Sequence, residues 1–223
     1  DKYFDLRKYT LGKLNFKNEN IKKEFEPVLA DLAKNDPKPT VRGNALFLLS
    51  AYSKPEYMKM FIANLRDSSY TIAGNALEAL AVSDPEAAYE AAKEMVRQPA
   101  KGKLVNSLIG IMIRNNDESS FDIIAEDFGN LPLGQSKFEL IKPFCDYIAN
   151  MNITEKVKNA IDKVTEFRNA IPEQYGVGPV INGFMNGIIS KKEAAKSDAT
   201  DKNALQEQID YIKSKISENK KGF

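Results

Sequence analysis

The stretch DPKPTVRGNALFLL at residues 36–49 is followed by a similar one, DSSYTIAGNALEAL, at residues 67–80. Both contain Gly-Asn-Ala-Leu, beginning at Gly43 and at Gly74, so the repeat length is 31 residues. Repetition at this period is typical of proteins built from stacked helix pairs, in which each pair buries its apolar face against the next. Weaker matches extend the pattern in both directions, at Asp1, Leu6, Arg7, Thr10, Leu11 and Leu14 and at Asn106, Leu108 and Ile111.

Each repeat is predicted to form two helices. Apolar residues of the segment 18–35 recur at the spacing of an amphipathic helix, and the prolines at 37 and 39 end it and help to start the next. Ser53 and Glu56 suggest a capping box for the following helix, with Pro55 just inside its start. Pro172 to Pro179 is predicted to be a turn. Further helices are predicted at about 69–82, 85–98, 104–115, 119–128, 134–150, 153–170, 180–196 and 201–219.

The fold class predicted from this pattern is all-α. No segment shows the alternation of a half-buried strand, and β-branched residues fall at helical spacing. We expect an α-solenoid of antiparallel helix pairs, similar to HEAT or ARM repeats, as one domain over residues 1–223. Residues 1–150 would form the regular pairs, and residues 151–223 would form atypical helices that cap the core. The chain opens on Asp1 without a methionine, which suggests a processed protein or a fragment of a larger chain.

Composition excludes several classes of site. The 223 residues include no histidine and one cysteine, so His-ligated zinc, Ser-His-Asp catalysis and an intrachain disulfide are excluded. The 32 basic and 31 acidic residues give a net charge of +1, which provides no global attraction for nucleic acid. Apolar runs such as 45–51 and 104–113 are shorter than the ~20 residues of a membrane span. We therefore expect no nucleic-acid partner and no membrane span. The sequence does not decide the cellular compartment.

Two polar series recur with the repeat. Arg7 and Arg42 occupy the position at which HEAT-like repeats carry an arginine, and we expect them to pair with an aspartate of the adjacent repeat, Asp36 or Asp67. Contact with an acidic partner is the alternative.

The second series is Asn44, Asn75 and Asn106. We expect these amides to bond backbone or loop groups between repeats, because an unpaired buried amide is costly; a polar ladder lining a groove is the alternative.

Glycines 43, 74 and 110 are expected to permit close approach of helices rather than to bind a ligand. Cys145 lies among apolar residues at helical spacing, and we interpret it as a core residue.

The whole pattern resembles the C-terminal helical domain of bacterial zinc aminopeptidases of the aminopeptidase N and leukotriene hydrolase type. The resemblance covers nearly the whole chain and rests on helical repeats, without a catalytic motif. The stretches that carry it are 36–52, 67–87, Ser119-Ser120-Phe121 with Phe128, Leu131-Pro132, Pro172-x-x-Tyr175 and Asp210-Tyr211-Ile212-Lys213.

The resemblance implies a subsidiary role. In that family a preceding domain holds zinc through an H-E-x-x-H helix and a downstream glutamate, and none of these residues is present here, so no catalytic or metal-binding residue is assigned to this chain. The expected partners are an upstream catalytic domain of the same polypeptide, which would hold the zinc, and peptide substrates. Cations on the inner face would attract a peptide carboxylate or contact the catalytic domain. The candidates are Arg42, Arg66, Lys103 and Arg114.

Two other functions remain open at this stage. The chain would alternatively be a stand-alone HEAT-like scaffold that binds a protein partner on its concave face. A self-sufficient enzyme based on a carboxylate pair, for example with Glu126, is the third hypothesis.

Overall fold

A computed structural model describes residues 3–116, 118–197, 199 and 201–218. The regular secondary structure of the described residues is helical, without a strand, which confirms the all-α class. Short 3-10 turns lie at Ser50–Tyr52, Glu118–Ser120 and Glu173–Tyr175. The twelve α-helices of this part of the chain are α1 (Phe4–Leu11), α2 (Glu19–Asn35), α3 (Pro39–Leu49), α4 (Pro55–Asn64), α5 (Tyr70–Ser83), α6 (Pro85–Met95), α7 (Lys103–Arg114), α8 (Phe121–Asn130), α9 (Gln135–Asn150), α10 (Thr154–Ala170), α11 (Val177–Ala195) and α12 (Lys202–Ser217).

Local sequence signals account for five of the twelve described helix starts. The side chains of Asn18, Asp84 and Asp201 accept hydrogen bonds from backbone N–H groups of the first turn of α2, α6 and α12. Such caps satisfy donors that have no partner within the helix. Proline occupies the first position of α3, α4 and α6, where its missing N–H has no cost.

Two predicted helix starts are wrong. The predicted capping box at Ser53 does not form, because α4 begins at Pro55 and its N-cap is therefore Lys54, in extended backbone. Ser53 itself has a left-handed backbone with φ 49°. Helix α11 begins at Val177 rather than at residue 180, so Pro179 lies in its first turn, where a proline is tolerated.

The chain divides into two compact units, Asp1–Ile111 and Met112–Phe223. It stays a prediction that all 223 residues form one domain, with regular helix pairs to residue 150 and capping helices from residue 151. No described helix combines the length and the apolar character that crossing a membrane requires.

In the first unit, the second helices of successive repeats lie next to each other. Helix α3 contacts α1, α2 and α5, and α5 contacts α4 and α6 as well. The core between them is mostly aliphatic, and its fully buried members include Leu29, Val41, Leu46, Leu49, Phe61, Leu77 and Leu80.

Glycines allow the closest helix approaches in this unit. A Cβ built on Gly43 would lie 2.9 Å from Nδ2 of Asn75 and 3.1 Å from the carbonyl oxygen of Thr71, both on α5. A Cβ on Gly74 would lie 2.8 Å from the backbone nitrogen of Leu104, at the start of α7. The expectation that these two glycines permit close approach is therefore confirmed.

In the second unit, α9 and α10 pack against α11, and α12 packs against both α10 and α11. Helix α8 contacts α10, and the rings of Phe128 and Phe144 stack with centroids 4.2 Å apart. Cys145 is buried as expected, and burial raises the pKa of its thiol to about 12, so the thiol stays protonated.

Candidate functional site

An ion pair joins the first two repeats. The Nε of Arg7 donates to Oδ2 of Asp36 at 2.7 Å, and its Nη2 donates to Oδ1 at 3.1 Å. Asp36 is only 6% exposed and also accepts the backbone N–H of Lys38. Burial alone would raise the pKa of Asp36, but the bonds from Arg7 and Lys38 outweigh it and hold the pKa below its ordinary value. Arg7 therefore pairs with Asp36, one of the two aspartates predicted for it.

We expect Asp36→Asn to lower the free energy of unfolding of the first unit by roughly 2 kcal/mol, because the arginine loses a charged partner but stays partly hydrated. The lowered pKa means that the carboxylate stabilises the fold above about pH 4 and that this contribution is lost as the pH falls through the folded-state pKa. Urea unfolding at pH 7 and pH 3 measures both effects. The exposed Asp31→Asn is the matched control, and an equal loss in both variants would contradict the prediction.

Arg42 and Asp67 do not form the predicted pair. Nη1 of Arg42 donates to the backbone carbonyl of Asp36 at 2.7 Å, within its own repeat. The carboxylate of Asp67 accepts the backbone N–H of Ser69 at 2.7 Å, which orders the turn before α5. The Asp67 carboxylate therefore stabilises its own turn, as the Asp36 carboxylate also does by accepting the N–H of Lys38. In the repeat that begins at Asp67, the position equivalent to Arg42 is Ala73, so no arginine is available there.

The three asparagines have different environments. Asn75 is buried, and its Nδ2 donates to the carbonyl of Thr71 in the same helix at 2.8 Å, so the expected bond between repeats is wrong for this residue. Asn44 and Asn106 are half-buried, and Oδ1 of Asn106 has no hydrogen-bond partner among the described residues. The environments of Asn75 and Asn106 differ because Gly43 makes room for the Asn75 side chain, whereas the start of α7 lies against Gly74.

A groove of about 640 Å³ lies in the first unit, between α4, α5, α6 and the start of α7. Its wall is mixed in character: Ile62 and Tyr70 are apolar and exposed, whereas Arg66, Asp67 and Glu94 carry charge. The remaining lining residues are Leu65, Ala73, Ala91, Met95, Gln98, Pro99 and Leu104. An apolar surface with a few charged groups is the usual character of a ligand site.

Among the four candidate cations, only Arg66 lines this groove within the part of the chain that the structure describes. It is exposed and makes no ion pair with any described residue. Lys103 is already paired, since its Nζ lies 2.6 Å from Oε2 of Glu78. Arg42 is engaged with a backbone carbonyl. Arg114 is exposed and belongs to the second unit.

Sequence reasoning missed three buried cations of the second unit. Lys192 is 1% exposed and donates from Nζ to the carbonyl of Met151 at 2.8 Å. Burial lowers its pKa to about 8, and attraction to Glu118 offsets only part of that effect. Lys137 is buried near the end of α8, where it donates to two backbone carbonyls, and burial lowers its pKa also.

Arg168 is the third buried cation, and the sequence held a signal for it. The apolar stripe of α10 passes through Val157, Ile161 and Val164, and the next position of the stripe is Arg168. A charged residue that continues an apolar stripe predicts a buried guanidinium rather than a solvent-exposed one.

Within the described residues, no three carboxylate or thiol groups converge as a metal-binding cluster. No protein-family model matches the chain, and neither a curated protein nor a solved structure matches it. These comparisons assign no family.

Proposed function

We propose that this chain is a non-catalytic helical-repeat domain of a zinc aminopeptidase, where it walls the substrate chamber and packs on the catalytic domain. The groove beside Arg66 is the observation that carries the proposal. An exposed guanidinium next to Tyr70 and Ile62 is suited to a peptide, with the cation attracting its terminal carboxylate and the apolar wall contacting its side chains.

Packing of the first unit supports a solenoid of HEAT-like pairs. Gly43 admits α5 against α3, and Gly74, one repeat later, admits the start of α7 against α5. Arg7 and Asp36 join the first two repeats through a bidentate ion pair. Contacts that recur at the repeat spacing favour regular stacking, which leaves an extended surface for a ligand or a neighbouring domain.

One face of α1 fits the proposed contact with a catalytic domain. Tyr3, Leu6 and Tyr9 are all exposed by more than half and recur every three residues, so they lie along one side of the helix. Contiguous apolar side chains at a surface mark an interaction site. A neighbouring domain of the same polypeptide would cover them.

Zinc would belong to the catalytic domain in this proposal. The chain has no histidine, and its described carboxylates and thiol do not converge, so its own residues do not fit a zinc site. Its contribution to peptide hydrolysis would be to bind and orient the peptide, without taking part in the chemical step.

The reading frame upstream of Asp1 tests the proposal directly. An open frame of several hundred codons that encodes H-E-x-x-H and a downstream glutamate would support it. A start codon immediately before Asp1 would overturn it in favour of a stand-alone HEAT-like scaffold, the second candidate. The same face of α1 fits that candidate equally well, since a separate protein would cover it.

We expect Arg66→Ala to weaken binding of a short fluorescein-labelled peptide roughly threefold, because a single exposed ion pair contributes up to about 1 kcal/mol. The same peptide with an amidated C-terminus should bind wild type and variant equally. Fluorescence polarisation at low salt measures both. Arg97→Ala is the matched control, because Arg97 is exposed nearby but does not line the groove. Equal losses in the two variants would indicate only long-range attraction and contradict the role of Arg66.

A further inference from the structure

Helix α1 has the sequence of the second helix of a repeat, but no first helix of its own pair lies among the described residues. Its arginine, Arg7, precedes the equivalent Arg42 of α3 by 35 residues and pairs with Asp36. Helix α3 contacts α2 and helix α5 contacts α4, so each of these second helices lies against the first helix of its pair. Among the helices of the described ranges, α1 makes an extended contact only with α3.

Equivalent positions of the three second helices differ in exposure. Leu6 of α1 is 61% exposed, whereas Val41 of α3 and Ile72 of α5, at the same position of their repeats, are 0% and 2% exposed. Leu11, also on α1, is buried as the equivalent leucines of α3 and α5 are. One side of α1 is therefore packed as in the other repeats, and the side with Leu6 lacks the cover that they have.

The exposed side of α1 also differs from the face that usually ends an array of helical repeats. Terminal repeats need a polar outer face to stay soluble. Here Tyr3 and Tyr9 flank Leu6 at helical spacing, and all three are exposed by more than half. A row of large apolar and aromatic side chains is the kind of surface that a helix buries against a neighbour.

We propose that a further amphipathic helix covers Tyr3, Leu6 and Tyr9, as the first helix of the repeat to which α1 belongs. The residues that precede Asp1 in the same polypeptide would supply this helix. The core between α1 and α3 would then continue into a new layer, as the core between α3 and α5 continues to α2 and α4.

Helix α2 gives the expected form of the covering helix. It has 17 residues, with an apolar stripe on one side, and covers α3. The connection within this pair is short, since α2 ends at Asn35 and α3 begins at Pro39. Two helices joined by so short a connection run antiparallel. The new helix would therefore end just before Asp1 and run antiparallel to α1.

The inference refines the contact proposed above for α1, and it rests on the proposed function only in placing the covering residues in the same polypeptide. An array that continues upstream of α1 suits an aminopeptidase domain and a stand-alone scaffold equally. A catalytic domain would then meet the array beyond α1.

Hydrogen exchange at the amides of α1 tests the proposal. The chain that begins at Asp1 is compared with the same chain extended by about 25 residues that its gene encodes directly upstream, enough for a helix like α2 and its connections. We expect the extension to slow exchange in α1 roughly tenfold or more, because a covered helix opens less often. Leu6→Asp should abolish this protection. Val28→Asp places the same charge at an exposed apolar position of α2 and is the matched control, which should respond as wild type does.

Several results would overturn the inference. They are equal exchange in the two chains, an upstream segment without an apolar stripe at helical spacing, and a start codon directly before Asp1. A dimer of the unextended chain that dissociates in Leu6→Asp, measured by sedimentation, would also overturn it, because a second copy would then cover α1.

The upstream sequence separates this inference from the proposed function. A covering helix without H-E-x-x-H further upstream would support the inference and contradict the aminopeptidase. H-E-x-x-H upstream without a covering helix would contradict the inference and leave the aminopeptidase supported.

Discussion

Replacing Gly74 by alanine is expected to lower the free energy of unfolding of the first unit by roughly 3 kcal/mol or more. The added Cβ would lie 2.8 Å from backbone atoms of both Lys103 and Leu104. Backbone cannot rotate away as a side chain does, so α5 and the start of α7 must separate and lose packing along their contact. Urea unfolding followed by circular dichroism, together with hydrogen exchange at the amides of α5, measures the loss.

Two other glycines make this prediction specific. Gly43→Ala should cost less, because its nearest neighbour is the amide group of Asn75, which has some freedom to move. Gly187→Ala should stabilise the second unit by about 0.5–1 kcal/mol, since alanine is the better helix former and no described atom lies within 4 Å of the new Cβ. A Gly74 variant as stable as the Gly187 variant would show that α5 and α7 do not approach as described.

Between pH 7 and pH 10, the second unit should become more stable relative to a Lys192→Met variant by roughly 2–3 kcal/mol. Lys192 has a pKa of about 8 in the folded chain, against an ordinary value of 10.5. Between these values the unfolded chain holds the proton and the folded chain does not, so stability rises with pH. Below the folded-state pKa the buried charge opposes folding with its full cost, and methionine has no such charge.

Urea unfolding of both proteins at pH 7, 8.5 and 10 measures this difference, and the double difference cancels the titration of all other groups. Lys191→Met removes the neighbouring surface lysine and is the matched control for the loss of a lysine as such. The carbonyl of Met151 loses its donor in the Lys192 variant, but that cost is the same at every pH. Parallel pH profiles for wild type and variant would contradict a charged, buried Lys192.

Helix positions were predictable because their signals are local. The amphipathic stripe and the prolines placed α2 and α3 to within a few residues, and the repeated Gly-Asn identified close approaches whose partners lie 30 residues away. The error at Ser53 arose because two signals compete there: proline at the first helical position forces the preceding Lys54, rather than the serine, into the N-cap.

Polar side chains were less predictable, because their partners depend on three-dimensional geometry. Arg7 and Arg42 occupy equivalent positions in the sequence, but one reaches the carboxylate of Asp36 and the other its backbone carbonyl. The groove beside Arg66 depends on how four helices diverge, which no periodicity encodes. Arg168 continues an apolar stripe, but the stripe does not reveal that it donates hydrogen bonds to α11 and α12.

The glycine contacts of the first unit also bear on how such a chain lengthens during evolution. Gly43 and Gly74 are one repeat apart, and each admits a helix that belongs to the following repeat. A segment of 31 residues therefore contains a glycine that admits a helix of the following repeat. It also contains a helix that packs against the glycine of the preceding repeat. Duplication of that segment within the gene would give the new copy compatible neighbours on both sides, without compensating substitutions elsewhere.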